Sequence, residues 1–368
     1  CAWVGILPVV AYYFFIVSPV TILANLVVVP YLFVVTASGA AFLALGSFGG
    51  WICSSFAASS EFFAAVLNWM CGMFARVPFA YFRVAPPGWM LFAVFYGALV
   101  LWVLRDSLKI SKAKCAVVLL IATNLFVWKG NFPAQADELK ITFLDVGHGD
   151  SAVIEFPRGG VMLVDCGGGG DWDQGRLSIA PFLWSKGITR IDGIVITHPH
   201  FDHFGGLGYL LDEFEVGALF DCGDLHIPFY DSVFKDRSIR RTPLYEGAQI
   251  KGAENVELLV LHPPRGLIEP RTASLNDSSV VFRIGYGSKS ILMTGDAERI
   301  ALTELNRYGT FLKCDVLKSA HHGSNNRLEG TQFLSLVRPQ FAVISEAERN
   351  KFNLPSKHTL QDFSDAGV

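Results

Sequence analysis

Apolar positions in this 368-residue chain follow two patterns. Up to about residue 130 they come in unbroken runs: Ala2 to Val17, Ile22 to Leu45, Trp89 to Leu104 and Cys115 to Trp128. These runs show neither the alternation of a half-buried strand nor the polar stripe of an amphipathic helix. A membrane-spanning helix needs about 20 apolar residues, or about 17 at the lower end. The second run suffices by itself, and the others reach that length with their uncharged flanks. Phe62 to Phe74 is short and bounded by Glu61 and Arg76. It either spans with its Ser-rich flank or lies along the interface.

Beyond residue 138 the pattern changes to short apolar stretches separated by turns. Strands are predicted over Lys140 to Asp145, Ser151 to Phe156, Gly160 to Asp165, Gly193 to Thr197, Val256 to Leu261, Ser279 to Tyr286, Ser290 to Thr294, Asp315 to Ser319 and Phe341 to Ser345. Gly287-Ser288-Lys289 is a hairpin signal between two of them. Helices are predicted over Leu177 to Lys186, Leu207 to Phe214, Ala297 to Tyr308 and Thr331 to Val337. Grouped strands with intervening helices predict two sheets with helices packed outside, an α/β sandwich. The expected organisation is a helical membrane segment over 1–130 and a globular domain over 138–368, joined by the Gly- and Pro-containing stretch Lys129 to Ala134.

Charge sharpens this division. Residues 1 to 60 contain no Asp, Glu, Lys or Arg, so that stretch has no solvated face to offer as a soluble core would. From residue 131 the chain carries 23 basic and 31 acidic residues, a net of −8. The segment Arg105 to Lys114, between the last two apolar runs, holds four basic residues and one acid. The positive-inside rule places it in the cytoplasm and the following domain on the far side. A cleaved signal peptide is excluded, because no charged n-region precedes the first run and several runs follow. The chain opens on Cys1 and reaches Val368 in an unfinished helical pattern, so it reads as part of a longer protein. Its seven cysteines stand singly, which argues against a disulfide framework or zinc ribbon. Cys166 and Cys222 read as small apolar fillers.

All nine histidines lie beyond residue 147. Three of them stand in His198-Pro199-His200-Phe201-Asp202-His203, after the strand run Gly193 to Thr197 and before Gly205-Gly206. Neutral imidazoles beside a carboxylate at a strand end suit borderline divalent ions. Two such ions can share a hydroxide and clamp a phosphoryl or carbonyl oxygen. His198 and His200 are the candidates for one ion, Asp202 and His203 for the other. Asp296, after Gly295 at another strand end, is the candidate bridge, since an anion between two cations offsets their repulsion. Asp165, also at a strand end, is the candidate orienter of a ligand histidine. Of His321 and His322, one completes a metal site and the other faces the substrate. The hydroxyl and backbone N–H of Ser324 are candidates to bind a phosphate oxygen. His148, in the polar Gly-rich loop Asp145 to Ser151, borders the cleft. His226, His262 and His358 read as solvated or hydrogen-bonded side chains.

Together these motifs resemble the metallo-β-lactamase fold superfamily, and within it the C-terminal domain of the ComEC competence proteins. The residues that carry the resemblance are Asp145-Val146-Gly147-His148-Gly149-Asp150-Ser151, the run from Thr197 to Gly206, Asn276 to Val281, Leu292 to Glu298 and Leu317 to Ser324. Ser18 to Pro30 carries it in the membrane half. The resemblance implies an αββα sandwich and a DNA-uptake channel in the bacterial inner membrane. It implies DNA, the membrane and DNA-uptake machinery proteins as partners. It places Asp202, His322 and Ser324 in catalysis and His198, His200, Asp202, His203, Asp296 and His321 on two divalent ions, manganese or zinc. The chain departs from the pattern at His148, where Gln is frequent, and at Leu354, where His is frequent. Superfamily hydrolases commonly have His just before the strand at Ser279. Here Leu275-Asn276-Asp277 stands there, so Asn276 or Asp277 is the expected oxygen ligand, and oxygen favours manganese.

Two functions follow. In one, the second half is a two-metal nuclease degrading the strand that is not imported. In the other, it binds DNA without chemistry, as its lack of a basic footprint favours. Two divalent cations and the local Lys318 or Arg327 compensate only near the site. A hydrolase for another ester remains open on fold alone.

Overall fold

The computed structural model describes residues 2–45, 49–129, 137–168, 172–223, 227–252, 255–266, 274–325 and 332–368. The stretch from Gly130 to Ala134, His226 and Arg327 lie outside them. The chain divides into two compact units, residues 1–133 with 184–187, and residues 134–183 with 188–368.

The first unit is helical: α1 (Ala2–Phe14), α2 (Val20–Leu45), α3 (Gly50–Ala75), α4 (Trp89–Leu104) and α5 (Lys112–Lys129). Among the described residues α2 is the one helix long and apolar enough to cross a membrane. Its 26 residues extend about 39 Å at about 1.5 Å per residue, more than a hydrocarbon core of about 30 Å. None of its residues is buried. It lies along α3, with Tyr31 Oη donating to the Phe63 carbonyl at 3.3 Å and Ser38 and Ser60 hydroxyls 2.8 Å apart. The short run Phe62 to Phe74 is therefore only the second half of a 26-residue helix. Its Ser-rich flank is helical because the hydroxyls bond within the helix: Ser59 Oγ donates to the Ser55 carbonyl and Ser60 Oγ to that of Phe56, each at 2.8 Å.

The second unit holds two six-stranded sheets, and between their strands the chain forms the helices α6 (Ala180–Ser185), α7 (Phe201–Phe204), α8 (Leu207–Glu213) and α9 (Pro228–Ser232). The first contains β1 (Lys140–Phe143), β2 (Ala152–Glu155), β3 (Val161–Val164), β4 (Gly193–Val195), β5 (Leu219–Asp221) and β6 (Arg241–Pro243). They lie in spatial order β6-β5-β4-β3-β2-β1. The second contains β7 (Gln249–Lys251), β8 (Val256–His262), β9 (Val281–Tyr286), β10 (Lys289–Met293), β11 (Val316–Lys318) and β12 (Phe341–Val343), adjacent in chain order. Each sheet is antiparallel over one part and parallel over the other, as β3 is to β4 and β10 to β11. β5, β6 and β7, each three residues long, are not predicted from the sequence.

Alternation along the strands fixes the layers. Ile154, Met162 and Val164 of the first sheet pack on Leu258, Val260, Phe282 and Ile284 of the second. The residues between them point outward. Val281, Leu292 and Leu317 pack against Ala301, Leu305, Phe333, Val337 and Phe363 of α10 (Arg299–Leu305), α11 (Gln332–Val337) and α12 (Lys357–Asp365). On the first sheet Val153, Leu163 and Ile194 are buried, as are Ile179, Leu183, Leu207 and Leu210 of the helical segments. The result is the αββα sandwich. Cys166 and Cys222 are buried fillers, and burial pushes the Cys222 thiol up to about 12. The helical pattern at the end closes at Asp365, where Ala366 caps α12.

Candidate metal centre

Strand ends from both sheets converge at one edge of the sandwich. β3 delivers Asp165, β4 delivers His198 to His203, β10 delivers Asp296, and β11 delivers His321 and His322. Asp165, His321 and His322 have positive φ, 59°, 47° and 53°. Left-handed backbone at non-Gly residues is costly and concentrates at functional sites. The loop of Asp202 is packed without tolerance. A Cβ on Gly149 would lie 2.3 Å from the Asp202 carbonyl, and one on Gly168 2.5 Å from that of Phe201.

Asp202, His203, Asp296 and His322 each offer one ligand atom within 4.8 Å of the others. Asp296 Oδ2 is 3.3 Å from His203 Nε2 and 3.4 Å from His322 Nε2, and Asp202 Oδ2 is 3.4 Å from His322 Nε2. The other nitrogen of each ring is already used. His203 Nδ1 is 2.9 Å from Asp165 Oδ2, and His322 Nδ1 is 2.9 Å from the Ser345 carbonyl. Each acceptor takes an Nδ1–H, which fixes the tautomer and aims Nε2 inward. Asp165 also accepts from the Thr197 backbone N–H at 2.7 Å and its hydroxyl at 2.9 Å. That carboxylate therefore orders the whole start of the histidine run.

The carboxylates of the cluster demand positive charge. Burial opposes charge on His203, but the Asp296 and Asp165 carboxylates outweigh it and hold the ring protonated well above the usual range. Burial likewise opposes charge on His322, yet Asp296, Asp150 and Asp202 raise it to about 10. Burial works to raise the Asp296 carboxyl, and His203 and His322 override it, holding it well below the usual carboxylate range. The carboxylates thus favour positive charge at His203 and His322, which a divalent ion on their Nε2 atoms would supply in place of protons. His203 Nε2, His322 Nε2 and Asp296 Oδ1 are buried with no hydrogen-bonding partner. Inward-facing nitrogen and oxygen lone pairs without partners fit a divalent ion.

The other expected residues are placed unequally. His198 Nε2 lies 3.9 Å from Asp296 Oδ2 and 2.9 Å from His200 Nδ1. Burial and the neighbouring His203 push His198 well below the ordinary histidine range. His321 Nε2 is 3.8 Å from Asp296 Oδ2, and its Nδ1 is 3.2 Å from Glu298 Oε1. It is thus His322, expected to face substrate, that joins the four-residue cluster, while His321 stands beside it. Asn276 Nδ2 donates to Glu298 at 2.8 Å and lies 3.5 Å from His321 Nε2, leaving its Oδ1 buried without a partner. Asp277 is not brought in. Its Oδ1 accepts the backbone N–H of Glu298 and Ala301, at 3.2 and 3.0 Å, at the start of α10. Ser324 spends its backbone N–H on the His321 carbonyl at 2.7 Å, which removes it as a phosphate donor, but its hydroxyl is buried and unpartnered.

Two further expectations are corrected. A strand end predicts solvent-facing positions for both Asp202 and His203. Asp202 is partly exposed, but His203 is 0% exposed, because its partner Asp165 ends a central strand. Lys318 does not face a nucleic acid. It is buried, with Nζ 2.6 Å from Asp150 Oδ2 and donating to the Ser319 carbonyl at 2.9 Å. His262 is a buried, hydrogen-bonded histidine, with Nδ1 3.1 Å from the Ser279 carbonyl.

Residues the sequence did not mark also stand here. Glu298 holds both Asn276 and His321, and the His321 hydrogen bond, working against burial, brings its carboxyl to about 2. Glu346 is buried against His148, with Oε1 and Oε2 3.0 and 2.9 Å from Nδ1. Each has a legible signal: a carboxylate two residues after Asp296, and one just past a strand end.

Comparison with known proteins agrees with this geometry. Residues 144–331 match the metallo-beta-lactamase superfamily, and residues 1–109 match the competence protein family. "ComE operon protein 3" of Bacillus subtilis is 27% identical over 389 residues, 98% of this chain and 48% of that protein. "Competence protein ComA" of Neisseria gonorrhoeae is 27% identical over 227 residues, 60% of this chain and 29% of that protein. The chain thus spans about half or less of the length of these relatives. Among solved structures, the metallo-beta-lactamase fold protein YhfI from Bacillus subtilis is similar with a TM-score of 0.40 at 13% identity, covering 62% of this chain and 95% of that one. With a first half that matches the competence protein family and a histidine–aspartate centre in the second, the chain belongs to the metallo-β-lactamase superfamily.

Proposed function

We propose that this chain is part of a DNA-uptake protein of the bacterial inner membrane, and that its second half is a two-metal phosphodiesterase that degrades the strand not imported. One observation carries the reading: the inward, unpartnered ligand atoms of His203, His322 and Asp296, with Asp202 at ligand spacing. These four residues would hold one ion. His198, His200 and His321 would serve a second, with Asp296 shared and Asn276 as an oxygen donor. When bound, divalent ions supply a nucleophilic water at neutral pH and neutralise charge on a phosphoryl oxygen. Asp165 and the Ser345 carbonyl keep the His203 and His322 rings oriented. The Ser324 hydroxyl is available to donate to a phosphate oxygen. A second reading, DNA binding without chemistry, draws support from the net charge of −8 and the burial of Lys318.

Metal analysis of the full chain in detergent, with cleavage assays on single- and double-stranded DNA, decides between them. Manganese is expected to support cleavage better than zinc, because Asn276 offers oxygen where an imidazole would favour zinc. Asn276→His should shift the preference toward zinc. A wild-type protein fully active with zinc and idle with manganese contradicts this account of the site.

The same reading sets a topology. In the structure the charged segment is a tight turn between α4 and α5, with Lys112 and Lys114 already in the first turn of α5. Its net charge of +3 favours the cytoplasmic side, and the membrane potential draws cations inward at about 2.3 kcal/mol per charge per 100 mV. The hydrolase half then meets incoming DNA outside and cannot reach the chromosome. In a cysteine-free background, an impermeant thiol reagent applied to intact spheroplasts should label Ser185→Cys and spare Ser107→Cys. The opposite pattern would move the hydrolase half into the cytoplasm.

A further inference from the structure

We propose that His148 is a further metal ligand of this centre, presented by Glu346. This rests on the cluster being a metal site, as proposed above. Glu346 is 3% exposed on its side chain, and both its oxygens face His148 Nδ1 at 3.0 and 2.9 Å. A carboxylate can only accept, so Nδ1 carries a hydrogen and Nε2 is the nitrogen left to take a metal ion. That Nε2 lies 3.4 Å from Asp202 Oδ2, a second atom that can only accept. A cation between the two, a metal ion with both as ligands, joins them at this distance.

The spacing is that of two ligands on one ion. Bonds of about 2.1 Å in a tetrahedral site set ligand atoms about 3.4 Å apart. The Asp202–His322, Asp296–His322 and Asp296–His203 contacts, at 3.4, 3.4 and 3.3 Å, have the same length. A histidine whose far nitrogen is held by a carboxylate is the usual arrangement of a metal-ligating imidazole.

The position is built rather than incidental. The loop of His148 is locked onto the residue it faces: the Asp150 backbone N–H donates to the Asp202 carbonyl at 3.3 Å, and Gly149 leaves no room for a Cβ there. The His148 ring packs between His322 and Phe352, with centroids at 5.0 and 4.8 Å. Asn350 secures the Phe352 loop, donating to the Ala347 and Leu354 carbonyls and accepting from the backbone N–H of Phe352 and Leu354. With His148 included, three imidazoles surround Asp202, against the oxygen-tolerant position at Asn276. The two ions would then sit in unlike donor sets.

Cobalt(II) bound to the full chain in detergent is the probe, read by its visible absorption and by competition with a chelator. His148→Ala should weaken one of two cobalt ions about 10- to 100-fold and change its absorption band, leaving the other ion unaffected. Glu346→Ala should act in the same direction with a smaller effect. His148→Gln still hydrogen-bonds Asp202 but offers no imidazole nitrogen, so it should resemble the alanine variant. Wild-type affinity and spectrum in either His148 variant would overturn the assignment, with recovery in Gln alone meaning that His148 only hydrogen-bonds Asp202. A wild-type chain that binds no cobalt would instead sink the metal-site reading itself.

Discussion

Asp202→Ala is expected to abolish metal-dependent DNA cleavage while leaving the fold intact. Asp202 is the partly exposed member of the cluster, and its Oδ2 faces His322 and His148 at 3.4 Å. Removing a ligand that places charge against the transition state forfeits several kcal/mol, on the order of a thousandfold in rate or more. Changing Asp202 and His203 together should also abolish cutting, but that double variant is the poorer instrument. His203 is buried and donates to Asp165, so its loss strands a buried carboxylate as well as a metal ligand. The comparison is cleavage rate against thermal unfolding in detergent. A protein that still cuts at the wild-type rate after Asp202→Ala would exclude the enzymatic reading.

Lys318→Met is expected to cost the second unit about 3–5 kcal/mol, the usual penalty for leaving one charge of a buried pair uncompensated. Lys318 and Asp150 are both buried, and no other basic side chain is paired with Asp150 among the described residues; only the His322 ring stands near, at 3.6 Å. Removing both charges in Lys318→Met with Asp150→Asn should recover most of the loss, because the desolvation of both groups disappears with them. Because Asp150 also helps hold the positive charge on His322, the single variant should disturb the centre too. Thermal unfolding of the three proteins measures the effect, and a Lys318→Met chain as stable as wild type would show that the pair is not a structural element.

The strand ends were legible from one residue to the next. The apolar runs before Asp165, His198 and Asp296 alternate or fill in a way only a buried strand explains, and a carboxylate or imidazole directly after such a run has nowhere to go but the rim of the sheet. The first half was legible for a simpler reason: 60 uncharged residues admit few solvents. The short strands β5 and β6 were not, since β5 takes its place from β4 beside it and β6 takes its place from β5. The split of the stretch from Ala297 was equally hidden, because α10 starts where the distant Asp277 side chain accepts its first N–H groups.

Residue type and spacing thus determined the two halves, the sandwich and which residue types gather at the strand ends. What they could not determine was which group faces which. Asn276 and Asp277 are neighbours in the chain, yet one turns to Glu298 and His321 and the other to the start of α10. His321 and His322 are neighbours too, and their left-handed backbone swings only His322 between Asp202 and Asp296. Glu346 meets His148 across 198 residues of sequence, and Lys318 turns inward to Asp150 instead of outward to a phosphate. Each choice is made by burial: a charged or polar group at the seam of two sheets must take the partner that packing brings within reach, and that partner comes from the other sheet or a distant strand end, where no local pattern records it.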